Sequence, residues 1–157
     1  MENDMAKTKI VFKASQTFIT IFYALLFIWT IISVPLLISR SSQISNAWLA
    51  MTAFIIIITW YWSLGIVYRI VLENDKIVRM KSLRKDVILQ INEFRKIEGP
   101  PSRIEFGFIK FRIARDTIYA FYNASEPLKN ILKTVKKNSN GTMFVKFSSG
   151  YFNNALP

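Results

Sequence analysis

The side chains that most often do covalent, redox or proton-transfer chemistry are missing from this chain, since its 157 residues include neither cysteine nor histidine. Without cysteine there is no disulfide framework, thiolate zinc site or sulfur nucleophile. Without histidine the commonest general base and transition-metal ligand are gone as well. The carboxylates of the C-terminal two-thirds are Glu73, Asp75, Asp86, Glu93, Glu98, Glu105, Asp116 and Glu126. They stand singly beside turns or cations, and no spacing among them predicts a shared metal or an acid/base pair. The motifs GxxxxGK[ST], GxGxxG, HExxH and GxSxG are absent. The expectation is therefore a protein that is not an enzyme and takes no cofactor.

What the chain offers in quantity is positive charge. From Arg69 to the C-terminus there are 17 Lys or Arg against 8 Asp or Glu, a balance of +9. These cations fall in clusters: Arg79, Lys81, Arg84 and Lys85, then Arg95 and Lys96, then Lys110, Arg112 and Arg115, and finally Lys129, Lys133, Lys136 and Lys137. Such clusters attract anions, and a cation held near an anionic lipid surface contributes about 1 kcal/mol. The candidate anionic-surface residues are Arg79, Lys81, Arg84, Lys85, Lys110 and Arg112. Nucleic acid is the competing polyanion. The aromatics interleaved with cations in FGFIKFRIARDTIYAFY alternate as strand core residues do, so nucleic acid is not the expected partner.

The elements that must carry these charges divide the chain in two. No charged side chain lies between Lys13 and Arg40, nor between Arg40 and Arg69. Thr17 to Ile38 and Ala47 to Tyr68 are each 22 residues long, enough at about 1.5 Å per residue to cross about 30 Å of hydrocarbon. The second segment is apolar on every face, which suits lipid and not the surface of a small domain. The short polar connection RSSQISN makes them a hairpin, leaving residues 1–16 and everything after 68 on one side. Lys7, Lys9 and Lys13 precede the first span and Arg69, Lys76, Arg79 and Lys81 follow the second, against Arg40 alone in the loop. Both termini are therefore expected in the cytoplasm. Trp48, Trp60, Trp62 and Tyr68 are candidate membrane-interface anchors, with helix packing an equal reading for the deeper rings.

After Arg69 the texture changes to short alternating runs expected to form one soluble domain over residues 69–149, with a tail at 150–157. YRIVLE and KIVRMKSL flank Asn74-Asp75 as two strands flank a tight turn. DVILQINEFRKIEG alternates imperfectly. In RIEFGFIKFRIA the apolar parity switches near Gly107, which predicts a bulge or bend there. TIYAFYN is another strand. In SEPLKNILKTVKKN, Leu128, Ile131, Leu132 and Val135 recur at i, i+3, i+4 and i+7, predicting an amphipathic helix over about 126–138 with Ser125 as N-cap. TMFVKFSS reads as a last strand.

Two apolar helices, a run of short strands and one amphipathic helix resemble the bacterial PH-like membrane proteins, whose soluble part folds like a pleckstrin-homology domain. YRIVLENDKIVRMKSL, DVILQINEFRKIE and TIYAFYNASEPLKNILKTVKK carry the likeness. The resemblance implies an α+β membrane protein: a transmembrane hairpin followed by a PH-like antiparallel sheet or barrel capped by one C-terminal helix, in a bacterial inner membrane. The function expected of it is that of an accessory or scaffold protein presenting a basic module at the cytoplasmic face. Its expected partners are the lipid bilayer and anionic lipids. The alternative is a subunit of a larger membrane complex, docked on other membrane proteins through the hairpin and the β domain.

Overall fold

A computed structural model describes residues 9–39, 45–100, 106–114, 116–139 and 141–145. The polar loop from Arg40 to Ile44, the tail 150–157, Arg115 and the end of the expected last strand lie outside the described residues. The chain forms two compact units, one made of residues 16–64 and the other of residues 1–15 together with 65–157.

The first unit is a helical hairpin. Helix α1 runs Gln16–Ser39 and α2 runs Asn46–Leu64, and both are long and apolar enough to cross a membrane. Several of their hydroxyls bond back within the helix. Thr30, Thr59 and Ser63 each donate to the carbonyl four residues earlier, at 2.7–2.9 Å, which satisfies these hydroxyls within an otherwise apolar helix. Across the hairpin, Tyr23 Oη donates to the Ser63 carbonyl at 2.7 Å, and the Trp60 indole donates to Thr30 Oγ1 at 2.9 Å. The second helix stops at Leu64, four residues short of the span predicted to end at Tyr68. Val67 and Tyr68 instead begin a strand, because their apolar character serves a sheet as readily as a helix.

Among the described residues, the second unit is an eight-stranded mixed sheet packed against one helix. Its strands are β1 Lys9–Lys13, β2 Val67–Glu73, β3 Ile77–Ser82, β4 Asp86–Gln90, β5 Phe94–Glu98, β6 Phe106–Ile113, β7 Thr117–Asn123 and β8 Met143–Val145. The spatial order is β4-β3-β2-β7-β6-β5-β8, with β1 also paired to β2. Helix α3 spans Glu126–Asn138. The N-terminal segment, residues 1–16, thus contains a strand. Lys9 to Lys13 alternate as K-I-V-F-K, and Phe12 is 1% exposed in the core of the β unit. The hairpin does not precede this unit but is inserted between its first and second strands.

Three other differences have local causes. The sheet is not wholly antiparallel: β7 pairs in parallel with β2 at Val67 and Ala120, and β8, returning after α3, pairs in parallel with β5. DVILQINEFRKIEG is two strands, β4 and β5, separated by a 3-10 turn at Ile91–Glu93. Its corner is held by the Gln90 amide donating to Glu93 Oε1 at 2.9 Å and the Ile91 amide to the Lys76 carbonyl at 2.9 Å. That corner is why the alternation in the sequence is imperfect. No bulge occurs at Gly107, since β6 pairs with β7 without a register shift from Phe106 to Arg112. Ile109 and Phe111 face the core, while Phe106 and Phe108 stay on the outer face with Arg112.

The turn at Asn74-Asp75 is as expected, with φ 52° at both residues, the left-handed pair that a type I′ turn requires and that Asn and Asp tolerate. So is α3, whose Leu128, Ile131, Leu132 and Val135 are all at most 1% exposed. Ser125 occupies the N-cap position in extended conformation, but its hydroxyl makes no capping bond.

Candidate functional site

The six cations singled out from the sequence fall on three separate parts of the β unit. Arg79 and Lys81 project from the outer face of β3. Arg84 and Lys85 lie in the turn between β3 and β4, where Lys85 Nζ reaches Asp116 at 3.8 Å. Lys110 and Arg112 stand on β6. Lys110 Nζ sits 5.5 Å from the centre of the Tyr119 ring, and Arg112 Nε is 3.4 Å from Glu98 Oε1. The structure therefore does not gather the six into one site. Several are already engaged, including Arg79, whose Nε donates to Glu73 Oε2 at 3.0 Å.

The tightest acidic knot is on β5 and β6. Lys96 Nζ donates to Glu98 Oε1 at 2.7 Å with Arg112 beside it. The hydrogen bond from Lys96, helped by the charges of Lys96, Arg112 and Lys110, holds the Glu98 carboxyl below the usual carboxylate range. Glu126 at the start of α3 is likewise lowered, by its hydrogen bond and ion pair with Lys129 at 2.7 Å and by the charge of Lys133. Both carboxylates, Glu98 partly covered and Glu126 exposed, are committed to neighbouring lysines, which is the arrangement of structural ion pairs. Among the described residues no group of three or more Asp or Glu side chains could hold a metal ion.

Of the aromatic candidates, Trp48 and Trp62 are exposed on α2. Trp60 is the ring bonded across the hairpin to Thr30, so it serves helix packing. Tyr68 belongs to β2 and not to a helix end.

The register of the first four strands assembles a surface that sequence reasoning missed. Residues directly opposite one another across a sheet share a face. Lys13 pairs with Arg69, Arg69 with Lys81, and Lys81 with Asp86. Three cations therefore stand side by side across β1, β2 and β3, closed by one carboxylate on β4. The next row on the same face is Val11, Val71, Arg79 and Ile88, and the one beyond it is Lys9, Glu73, Ile77 and Gln90. A depression of about 260 Å³ opens on this face, lined by Lys9, Arg69, Val71, Lys81, Asp86 and Ile88 among others.

Arg69 reaches the face because of an irregularity. Between Val67 and Arg69 the β2–β3 register slips, so Val67 opposes Ser82 while Arg69 opposes Lys81. Tyr68 is the additional residue. Such a bulge re-aims the side chains that follow it. Val67 and Ser82 face the core, whereas Arg69 and Lys81 face outward. In the sequence Lys13 reads as a cation flanking an apolar span, and Arg69 as one at the head of the strand YRIVLE. The K-I-V-F-K alternation was the one signal that Lys13 could be on a strand.

No family model, no curated protein and no solved structure matches this chain.

Proposed function

We propose that this protein is a membrane-anchored binding module: the α1–α2 hairpin spans the bilayer and holds a PH-like β unit, with its basic surfaces, at the cytoplasmic face. One observation carries the reading. The hairpin is an insertion between β1 and β2, which are hydrogen-bonded neighbours, and two residues separate each strand from its helix. The anchor is thus joined to the binding unit through two strands that are themselves paired. The balance of cations on the β unit gives such a surface its attraction for anionic partners.

The test is topological, and the absence of native cysteine makes it clean. A cysteine at Ser42 reacts with an impermeant thiol reagent in intact cells, and one at Ser149 reacts only after permeabilisation. The protein stays in the membrane fraction through alkaline carbonate. Release by carbonate, or the reverse labelling pattern, overturns the proposal.

A second reading, a subunit of a larger membrane complex, draws on the exposed Phe106, Phe108 and Tyr119 of β6 and β7. Exposed aromatic side chains next to cations are common where proteins dock. Extraction in a mild detergent followed by sizing separates the two, a small particle for the module and a stoichiometric complex for the subunit.

A further inference from the structure

We propose that the outer face of β1 to β4 holds a binding site for a phosphate group, with Lys13, Arg69 and Lys81 as its ligands. The inference deepens the reading above and rests on the β unit being the binding module. Its starting point is an arrangement that is unfavourable without a ligand. Like charges directly opposite one another on adjacent strands repel, and here two such pairs share Arg69. Directly opposite Cβ atoms lie about 5 Å apart, so the three cations start within about 10 Å of one another. Neither Lys13 nor Lys81 forms an ion pair among the described residues. Arg69 Nε is buried and makes no hydrogen bond among them. A buried donor left unpaired costs free energy that a bound acceptor would recover.

The acids on this face do not neutralise the row. Glu73 is engaged by Lys9 at 3.9 Å and Arg79 at 3.0 Å, which leaves Asp86 alone to oppose Lys81. Counting the face as a whole, Lys9, Lys13, Arg69, Arg79 and Lys81 stand against Glu73 and Asp86, a surplus of three positive charges. Phosphate suits this geometry because it presents several oxygens and up to two charges to ligands on three strands, and a guanidinium donates to it in a fixed fork. Beside Arg69 and Lys81, which line the depression on this face, Val71 and Ile88, the latter 60% exposed, form an apolar shoulder to it. A phosphate borne on an amphiphile finds contacts on that shoulder which inorganic phosphate does not.

The experiment uses the full chain in neutral detergent micelles. Unfolding of the β unit is followed by proteolysis in urea, with inorganic phosphate in one arm and a lysophosphatidate doped into the micelles in the other. Potassium chloride at matched ionic strength is the reference in each arm. Phosphate or the lipid raises the unfolding midpoint where chloride does not, and the concentration dependence yields a Kd. Arg69→Gln and Lys81→Gln each weaken binding at least tenfold, Asp86→Asn tightens it, and Lys110→Gln and Lys133→Gln change it by no more than about twofold. Lys81 is exposed, so its variant keeps the fold even if Arg69→Gln does not. A response to the lipid alone identifies a headgroup as the source, and an equal response to both identifies free phosphate. Equal small losses for all four neutralisations would replace the site by diffuse surface charge and leave the proposed function standing. No response to either anion would overturn both the site and the anion-binding part of that function.

Discussion

Phe12→Ala distinguishes a strand that belongs to the β unit from a segment that only leads into a helix. Phe12 is 1% exposed and pairs with Ile70 in the register of β1 on β2. Burying a phenylalanine removes about 150–250 Å² from water, which at about 25 cal/mol per Å² is worth roughly 4–6 kcal/mol as an upper bound. Part of that area is already hidden in the unfolded chain. The loss on truncation is therefore about 3–5 kcal/mol, in line with buried phenylalanines generally. Domain stabilities run to about 5–15 kcal/mol, so the variant loses a large share of the unit's stability.

Lys9→Ala is the control on the same strand. Its ion pair with Glu73 is 3.9 Å long and its side chain is 56% exposed, which limits the cost to about 0–1 kcal/mol. Tryptophan fluorescence cannot report the difference, because Trp29, Trp48, Trp60 and Trp62 all lie in the helical unit. Pulse proteolysis of the full chain in urea, scored by fragments from the β unit, does report it. With a slope of about 2 kcal/mol per molar urea, Phe12→Ala lowers the midpoint by roughly 2 M and Lys9→Ala by less than about 0.5 M. Equal midpoints for the two variants would refute the docking of β1.

Leu132→Ala, at a fully buried position of α3, costs about 2–5 kcal/mol and sharply raises protease sensitivity, whereas Lys133→Ala does not. Gly107→Ala is tolerated or slightly stabilising, by up to about 1 kcal/mol, because the strand there is regular and the added methyl meets only the Pro100 ring at an ordinary 3.7 Å. Loss of midpoint stability in that variant would restore the bulge that the sequence suggested. For Glu98, whose folded carboxyl is held low by Lys96, the stabilisation is fully present above the unfolded value of about 4.3 and is lost as pH falls through the lower folded value. The stability advantage of the native chain over Glu98→Gln is thus constant near neutrality and shrinks below about pH 4. An advantage that grows on acidification would contradict the assignment.

The hairpin, the Asn74-Asp75 turn and α3 were legible because each is written in a contiguous pattern. Two uncharged apolar runs, a pair of residues that tolerate left-handed backbone, and an i, i+3, i+4, i+7 stripe from Leu128 to Val135 need no knowledge of distant neighbours. Gly107 misled for the opposite reason. Phe106 and Phe108 are as apolar as Ile109 and Phe111, so parity alone could not say which pair faces the core, and the pairing of β6 with β7 settled it. The KIVFK strand was hidden because five residues beside an apolar helix resemble a basic flank. Only pairing with β2, across the whole inserted hairpin, makes them a strand.

The charged face depends on tertiary structure throughout. By itself the sequence determined that the chain has two helices apolar enough for lipid, a basic sheet-forming remainder, and neither a cysteine nor a histidine with which to do chemistry. Which cations stand together was decided by sheet register. Lys13, Arg69 and Lys81 are separated by 55 and 11 intervening residues, yet are brought side by side by antiparallel pairing and by one additional residue, Tyr68, in β2. A strand's side chains alternate with a period of two, so a single inserted residue reverses the face of everything beyond it. No local pattern records such an insertion, because it exists only relative to the partner strand.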